Sequence, residues 1–576
     1  MGRDKRRISA WFGLACLLAG VHTAAAQPGY YRQPMDHTPA LSANFGEMRP
    51  GHFHSGIDLK TEGVTGKRVR AAADGYISRI AVQPGGYGRA LYVTHPNGTT
   101  TVYGHLLDFA DEVEQAVRDE QYRRRSFTVE LFPDASQFPV RQGDVIARSG
   151  NSGSSGGPHL HFEVRETASQ KPVNVLARGL LKVTDNIPPY VVKLHVIGVD
   201  TVQGVPVHTV RRTLGVQRTA AGTYRLADTT ALRIGPATYF GVEVAERKNG
   251  VTNPMGTYRI QEKVDGQVVF ELANDGFLFS QTRYVNAAAL YAENLKTRND
   301  VFRLVRLPNN KLPIYTAVRR KGIVTPADSS RHRVEIMAED DSGNASVLAF
   351  TVRLGDAPRP PEAPEGAVPV LWYRDKTIED GGMRVTLPAN ALYESILFTS
   401  QIGPRRPDSF SPVYRVHEKD VPLQGSYTLS LEAGDIEPRL RGKVLLAEVN
   451  DKGIAGAAGG RWTNGRVEGR LRSFGRYCIV ADTVPPGIVP SFKSGADLSA
   501  TATLSFTIGD NLSGIDRYEV LIDGQWALFE YDPKNRRITH RFAHSPVKAT
   551  GGVHTIEATV TDGVGNVARY KGRFVR

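Results

Sequence analysis

Cysteine is nearly missing. Two occur in 576 residues, Cys16 and Cys478, and only Cys478 lies beyond the first apolar stretch. No disulfide can staple the remaining chain, so each domain must fold on its own core or on a metal. The lack of a cysteine pair also excludes a closed, thiolate-rich structural zinc centre. Cys478 falls in the apolar, strand-like run from Tyr477 to Ala481 and reads as a small buried hydrophobe. Long apolar runs are scarce as well. A mean hydropathy of −0.30 with 40% hydrophobic residues describes a soluble globular protein rather than a membrane bundle. The stretch from Ile8 to Val21 is too short to span as a stable anchor. Basic residues precede it (Met1 to Arg7) and Thr23-Ala24-Ala25-Ala26 follows. Residues 1–26 therefore read as a secretory signal peptide cut after Ala26, which places the mature chain in the periplasm or cell envelope. A lipoprotein-type cut before Cys16 is disfavoured, because Gly13-Leu14-Ala15 is a poor lipobox.

Acidic residues are outnumbered, 59 against 72 basic ones, giving a formal net charge of +13 and a pI near 9.5. Such a surface favours anionic partners or simply keeps the chain soluble. Export removes nucleic acid, leaving lipopolysaccharide or a carboxylate-bearing cell wall.

The length exceeds what one core can serve. From Ser42 to Lys182, short alternating segments separated by Asp74-Gly75 and Pro96-Asn97-Gly98 predict antiparallel strands joined by hairpin turns. A polar segment, residues 108–137, interrupts them, with a short helix from Glu112 to Arg125. Beyond Val183 two starts are near copies, Asp185-Asn186-Ile187-Pro188-Pro189 and Asp482-Thr483-Val484-Pro485-Pro486. Each has an ending that closes an acidic turn with Gly-Asn, at Gly343-Asn344 and Gly565-Asn566. The repeat predicts immunoglobulin-like β-sandwich modules over residues 183–356 and 482–576. A Pro-rich linker, 357–367, leads to another strand-rich module, 368–481. The predicted class is all-β.

Six of the 15 histidines lie between residues 50 and 165: His52, His54, His95, His105, His159 and His161. In His159-Leu160-His161 the two imidazoles share one face of a strand, while Leu160 and Phe162 face a core. Glu163 shares the histidine face and is placed to hydrogen-bond a ligand. Gly51-His52-Phe53-His54-Ser55-Gly56-Ile57-Asp58 adds imidazoles and a carboxylate. Three ligands of mixed N and O type with one open position make a catalytic zinc centre, and His54, Asp58 and His161 can supply such a set.

Taken in order, H-x-x-x-D, A-x-D-G, G-Y-G, Y-G-H-L and G-D-x-I-A-x-S-G-N-S-G-S-S-x-G-P-H-L-H-F-E resemble the lysostaphin-type (LytM-like) zinc metalloendopeptidases, which cut cell-wall peptides. The likeness runs from about Phe45 to Pro172. It implies a compact antiparallel β core of the duplicated hybrid motif type over residues 27–182, with a groove that holds the metal. It implies Zn²⁺ on His54, Asp58 and His161, with His105 and His159 as the two catalytic histidines. The four-residue step to Asp58 selects His54 over His52. His95 reads as a turn histidine and Tyr103 as a packing residue. The implied substrate is peptidoglycan, cut at its peptide cross-links. Between His105 and Gly143 the chain is longer than the family usually is, so residues 108–137 either wall or cover the groove or form a solvated surface loop that faces away from it. Two rivals remain: a non-enzymatic envelope scaffold or activator of other hydrolases, and an adhesin whose sandwich modules do the work while the N-terminal domain only anchors it to the wall. In any of these readings the modules offer surfaces for envelope protein partners.

Overall fold

The computed structural model describes residues 28–37, 40–326, 328–355, 359–545, 547 and 550–576. The signal-peptide stretch and Cys16 lie outside the described residues. Strands dominate throughout, and among the described residues no helix is long and apolar enough to cross a membrane.

The N-terminal body is built on β1 (Leu41–Ala43), β2 (Ile57–Lys60), β3 (Gly75–Val82), β4 (Arg89–Thr94) and β5 (Thr99–Gly104). After α1 (Asp111–Arg124) come β6 (Val129–Leu131) and β7 (His159–Glu166). Their order across the main sheet is β1-β2-β7-β5-β4-β3-β6, and every pairing is antiparallel. Pro96-Asn97-Gly98 closes the expected hairpin of β4 and β5, whereas Asp74-Gly75 does not: residues 68–70 pair with 145–149 in a separate three-stranded sheet, and Gly75 opens β3 in the main one. Strand alternation then sends Ile57, Leu59, Leu91, Val93, Tyr103, Leu160 and Phe162 into one core at 0–1% exposure. Each fully buried aliphatic or aromatic side chain there contributes about 1.5–3 kcal/mol over leaving it in water.

The 108–137 segment is ordered by charge. Helix α1 carries Asp111, Glu112 and Glu114 in its first turn and Arg123 and Arg124 in its last, the arrangement its dipole favours. Arg125 ends it in the left-handed conformation. Glu114 accepts from the buried Arg89, β6 joins the main sheet edge beside β3, and Tyr122 meets Trp526 edge-on at 5.3 Å. Arg125 pairs with Glu519 at 2.9 Å. The segment is thus held between the N-terminal body and the last module.

Residues from Tyr190 to Leu354 form one eleven-stranded sheet. The 16-residue strand Val205–Ala220 pairs with Tyr190–Val202 over its first part and with Thr223–Leu226 over its last, so two halves that would otherwise be separate sheets stay hydrogen-bonded. Two further bodies are sandwiches in which a pair of five-stranded sheets and a pair of four-stranded sheets each enclose a core. Cys478 lies outside the former's core, buried in a small cluster with Leu445, Ala447, Val449 and Val480 against Leu512 and Val564, and that burial pushes its thiol up to about 11.

The N-terminal body does not close on itself. Phe45 and Phe53 leave its core and join the apolar cluster of the eleven-stranded body, packing on Phe277 at 5.4 and 5.3 Å between ring centroids. The backbone N–H of Phe53 also donates to Thr282 Oγ1 at 2.8 Å. The segment that leads into His54 is therefore anchored in the next body.

Candidate active site

Register across two strand pairs creates the site. On β7, His161 lies opposite Asp58 of β2 and opposite Gly104 of β5. Because side chains alternate, His159, His161 and Glu163 point to one side and Leu160 and Phe162 to the other. Gly56 makes the approach of these segments feasible. A Cβ there would lie 2.3 Å from the Phe162 carbonyl oxygen and 3.1 Å from His161 Cε1. His54 Nε2, His161 Nδ1 and Asp58 Oδ1 converge, at 3.0 Å between the two nitrogens and 3.1 and 2.8 Å from them to the oxygen. All three residues are buried.

Hydrogen bonds on the far side of each ring fix where its proton sits. His54 Nδ1 faces the carbonyl oxygen of Asn44 at 2.8 Å. A carbonyl only accepts, so Nδ1 carries the hydrogen and Nε2 is bare. His161 Nε2 faces Glu163 Oε1 at 2.7 Å, which leaves Nδ1 bare by the same argument. Two lone pairs and a carboxylate oxygen thus meet within about one hydrogen-bond length, with no proton between them. That contact is repulsive unless a cation sits among the three, so the donor set fits a metal ion of the zinc class. Without one, a proton takes the place: despite burial, Asp58 and Glu163 push His161 up to about 9. Burial opposes the ionisation of Asp58 too, but His54, His159 and His161 outweigh it and hold the carboxyl well below the usual range.

His105 and His159 flank the cluster with ring centroids 4.7 Å apart. His105 Nδ1 donates to the Ser152 carbonyl at 2.9 Å and His159 Nδ1 to the Gly157 carbonyl at 2.8 Å, so each keeps a bare Nε2. His159 Nε2 lies 3.5 Å from Asp58 Oδ1. Burial and the neighbouring imidazoles hold His105 down to about 3, so it is neutral near pH 7. His105 also adopts φ +62°, a strained conformation for a residue with a Cβ, held by its N–H bond to the Tyr87 carbonyl at 2.8 Å.

The structure brings all five expected residues together. His52 is exposed, and its ring Nδ1 lies 3.2 Å from the Pro50 carbonyl, outside the cluster. His95 uses both nitrogens on the Asp74 carbonyl and Thr101 and takes no part in the cluster. Tyr103 packs on Phe162. Sequence reasoning missed the residues that hold Glu163. Its Oε1 accepts from Tyr87 at 2.6 Å and Ser55 at 2.7 Å, and its Oε2 from Arg165 at 2.6 Å. Burial disfavours its charge, but Arg165 and His161 prevail and keep it ionised. Tyr87 stood in the G-Y-G motif without a role, and Arg165 was one more step of the alternation that marks Glu163. Arg49, 3.5 Å from Asp58 Oδ2, and Asn44 carried no short-range signal.

Comparison with known proteins covers the same stretch of chain. The model of Peptidase family M23 matches residues 52–122 and 135–175, and that of the Zu5-like domain matches residues 368–482. The chain is 34% identical over 161 residues to the DD-carboxypeptidase/endopeptidase Mpg of Neisseria meningitidis serogroup B, a match covering 28% of each protein. It is 31% identical over 144 residues to a metalloprotease, itself uncharacterised, of Haemophilus influenzae, covering 23% of this chain and 24% of that one. The chain thus spans about a quarter of the length of these relatives. Among solved structures, a zinc-containing peptidase from Vibrio cholerae is similar at 24% identity and a TM-score of 0.20, covering 27% of this chain and 41% of that one. The N-terminal body, with the His54, Asp58 and His161 cluster at its centre, is a domain of peptidase family M23.

Proposed function

We propose that the protein is an exported zinc metallopeptidase that hydrolyses peptide cross-links of peptidoglycan during cell-wall remodelling. The observation that carries this is the meeting of three bare donor atoms, on His54, Asp58 and His161, beside two histidines whose Nε2 atoms are also bare. The family M23 domain and the relatives named as peptidases support it.

Zinc, when bound, supplies Lewis acidity and makes water nucleophilic near neutral pH. The chain's own residues do the rest. Glu163 holds His161 in the required tautomer through Nε2, and the Asn44 carbonyl does the same for His54 through Nδ1. His105 and His159 keep their Nδ1 protons on backbone carbonyls, so a proton taken up or given back in the reaction passes through Nε2. Once it has taken up a proton in the reaction, either one stabilises negative charge on the scissile carbonyl oxygen. Arg49, about one-third exposed beside Asp58, is placed to meet an anionic group of the substrate.

The test pairs metal analysis of the purified mature protein with turnover of isolated cross-linked wall. The expected result is one zinc per chain and release of un-cross-linked peptides, abolished by chelation and restored by zinc. Stoichiometric zinc without turnover would favour the scaffold or activator reading. No zinc at all would remove the centre.

A further inference from the structure

The repeated starts and endings beyond Val183 meet in space. Asp185 and Asp340, from the start and the ending of the eleven-stranded body, face Glu246, and one oxygen of each carboxylate lies within 4.8 Å of the others. The last module repeats this with Asp482, Asp510 and Asp562. The closing asparagine is used alike in both. Asn344 Nδ2 donates to Asp340 Oδ2 at 2.8 Å and to the Asp185 carbonyl at 3.3 Å, and Asn566 Nδ2 to Asp562 Oδ2 at 2.7 Å and to the Asp482 carbonyl at 3.0 Å.

Glu246 sets the first cluster apart from an ordinary acidic turn. It is 1% exposed, and neither of its carboxylate oxygens has a hydrogen-bond partner among the described residues. A buried carboxylate without a partner is costly in its ionised form. Burial, with the charges of Asp340, Asp341 and Asp185, pushes its carboxyl up to about 9 when no cation is present, so the cluster lacks the positive charge that would let it ionise. The one nearby ammonium is committed elsewhere: Lys248 Nζ pairs with Asp185 at 3.0 Å and Asp341 at 2.5 Å. Four carboxyl groups (Asp185, Glu246, Asp340, Asp341) share one lysine, a setting that a bound cation would relieve. The donors are all oxygen, and their spacing suits a centre about 2.3–2.6 Å from each, the distance calcium prefers. A cavity of about 630 Å³ lined by Thr184, Asp185, Asp340, Asp341 and Tyr258 adjoins the cluster and leaves room for waters to complete a shell.

We propose that Asp185, Glu246 and Asp340 form a second cation site that takes a hard divalent ion of the calcium class. The site reaches the candidate catalytic cluster through one residue. Asp341 Oδ2 accepts from Asn44 Nδ2 at 2.8 Å, and Asn44 Oδ1 accepts from the Gly256 N–H at 2.6 Å. The backbone carbonyl of this same Asn44 is the acceptor for His54 Nδ1. An ion that relieves the repulsion around Asp341 steadies the carbonyl that orients His54. It acts there by positioning and takes no part in the chemistry.

The experiment uses full-length, zinc-loaded protein freed of calcium, titrated with calcium chloride in a calorimeter and followed by thermal unfolding. Wild type is expected to bind calcium with a dissociation constant in or below the millimolar range, and calcium is expected to raise its Tm by a few degrees. E246Q keeps the shape and removes the central charge, and is expected to bind one ion fewer with an unchanged zinc content. D510N, in the last module, is expected to retain the ion at Glu246. A wild-type Tm indifferent to millimolar calcium would overturn the proposal, as would equal calcium stoichiometry in wild type and E246Q. Heat and Tm are read without substrate, so this failure and a failure of the peptidase assignment are separate results.

Discussion

His105 and His159 owe their usefulness to what their Nδ1 atoms touch. Each donates outward to a backbone carbonyl, so the inner nitrogen is the one left to take up and give back a proton. Alanine at either position is expected to leave metal content and fold intact while turnover of cross-linked wall falls by about 10²- to 10⁴-fold. Near wild-type turnover in one variant would remove that histidine from the mechanism. Gly56 permits a different prediction. An added Cβ would lie 2.3 Å from a backbone oxygen that cannot step aside, so G56A should disturb the β2–β7 approach and lose zinc, although no ligand has been altered. Full zinc occupancy in G56A would refute that account. At this scale much was legible in the sequence. Alternation alone put His159, His161 and Glu163 on one face, and the four-residue step from His54 to Asp58 survives as their shared corner. Asn44 was not legible, because its roles depend on Gly256 and Asp341, which no local pattern links to it.

Among the elements, the turn before Glu418 holds a histidine outside the site that reports on stability. His417 is buried between Phe398, stacked at 5.4 Å, and Phe474, edge-on at 5.1 Å. Burial first, and then the Arg415 charge, lower it from 6.5 to about 4. Between those values the unfolded chain binds a proton that the folded chain refuses, so stability falls as pH drops from about 6.5 to 4 and levels off below. A shift of that size corresponds to roughly 3 kcal/mol across the window. The urea midpoint followed by the fluorescence of Trp372 and Trp462, both in this sandwich, should decline over that range. H417Q should flatten the decline, and an unchanged slope would sink the assignment. The helix from Asp111 to Arg124 was legible only as a weak pattern, since its polar sequence offers little apolar periodicity. Its hold on Trp526 and Glu519, about 400 residues downstream, was not legible at all.

Considered as a whole molecule, the chain is less modular than its Pro-marked boundaries suggest. The first of them falls at Asp185, yet Phe45 and Phe53 cross it to pack on Phe277. A chain ended after residue 182 leaves both rings in water, and it is expected to aggregate or to fail to hold zinc. F277A in the full chain should cost about 3–5 kcal/mol and weaken zinc retention, with every ligand in place. A soluble, zinc-loaded 27–182 fragment as stable as the parent would contradict this.

The bond from Asn44 to Asp341 also sets a clock. Asp341 lies 297 residues beyond Asn44. At synthesis rates of about 5–20 residues per second, that separation is roughly 15–60 s of chain growth. The histidines of the N-terminal body leave the ribosome early, while the residue that steadies the support of His54 arrives late. A nascent chain therefore carries all its candidate ligands for most of its synthesis without the finished frame, and the cluster gains its last support only after the second body has been made.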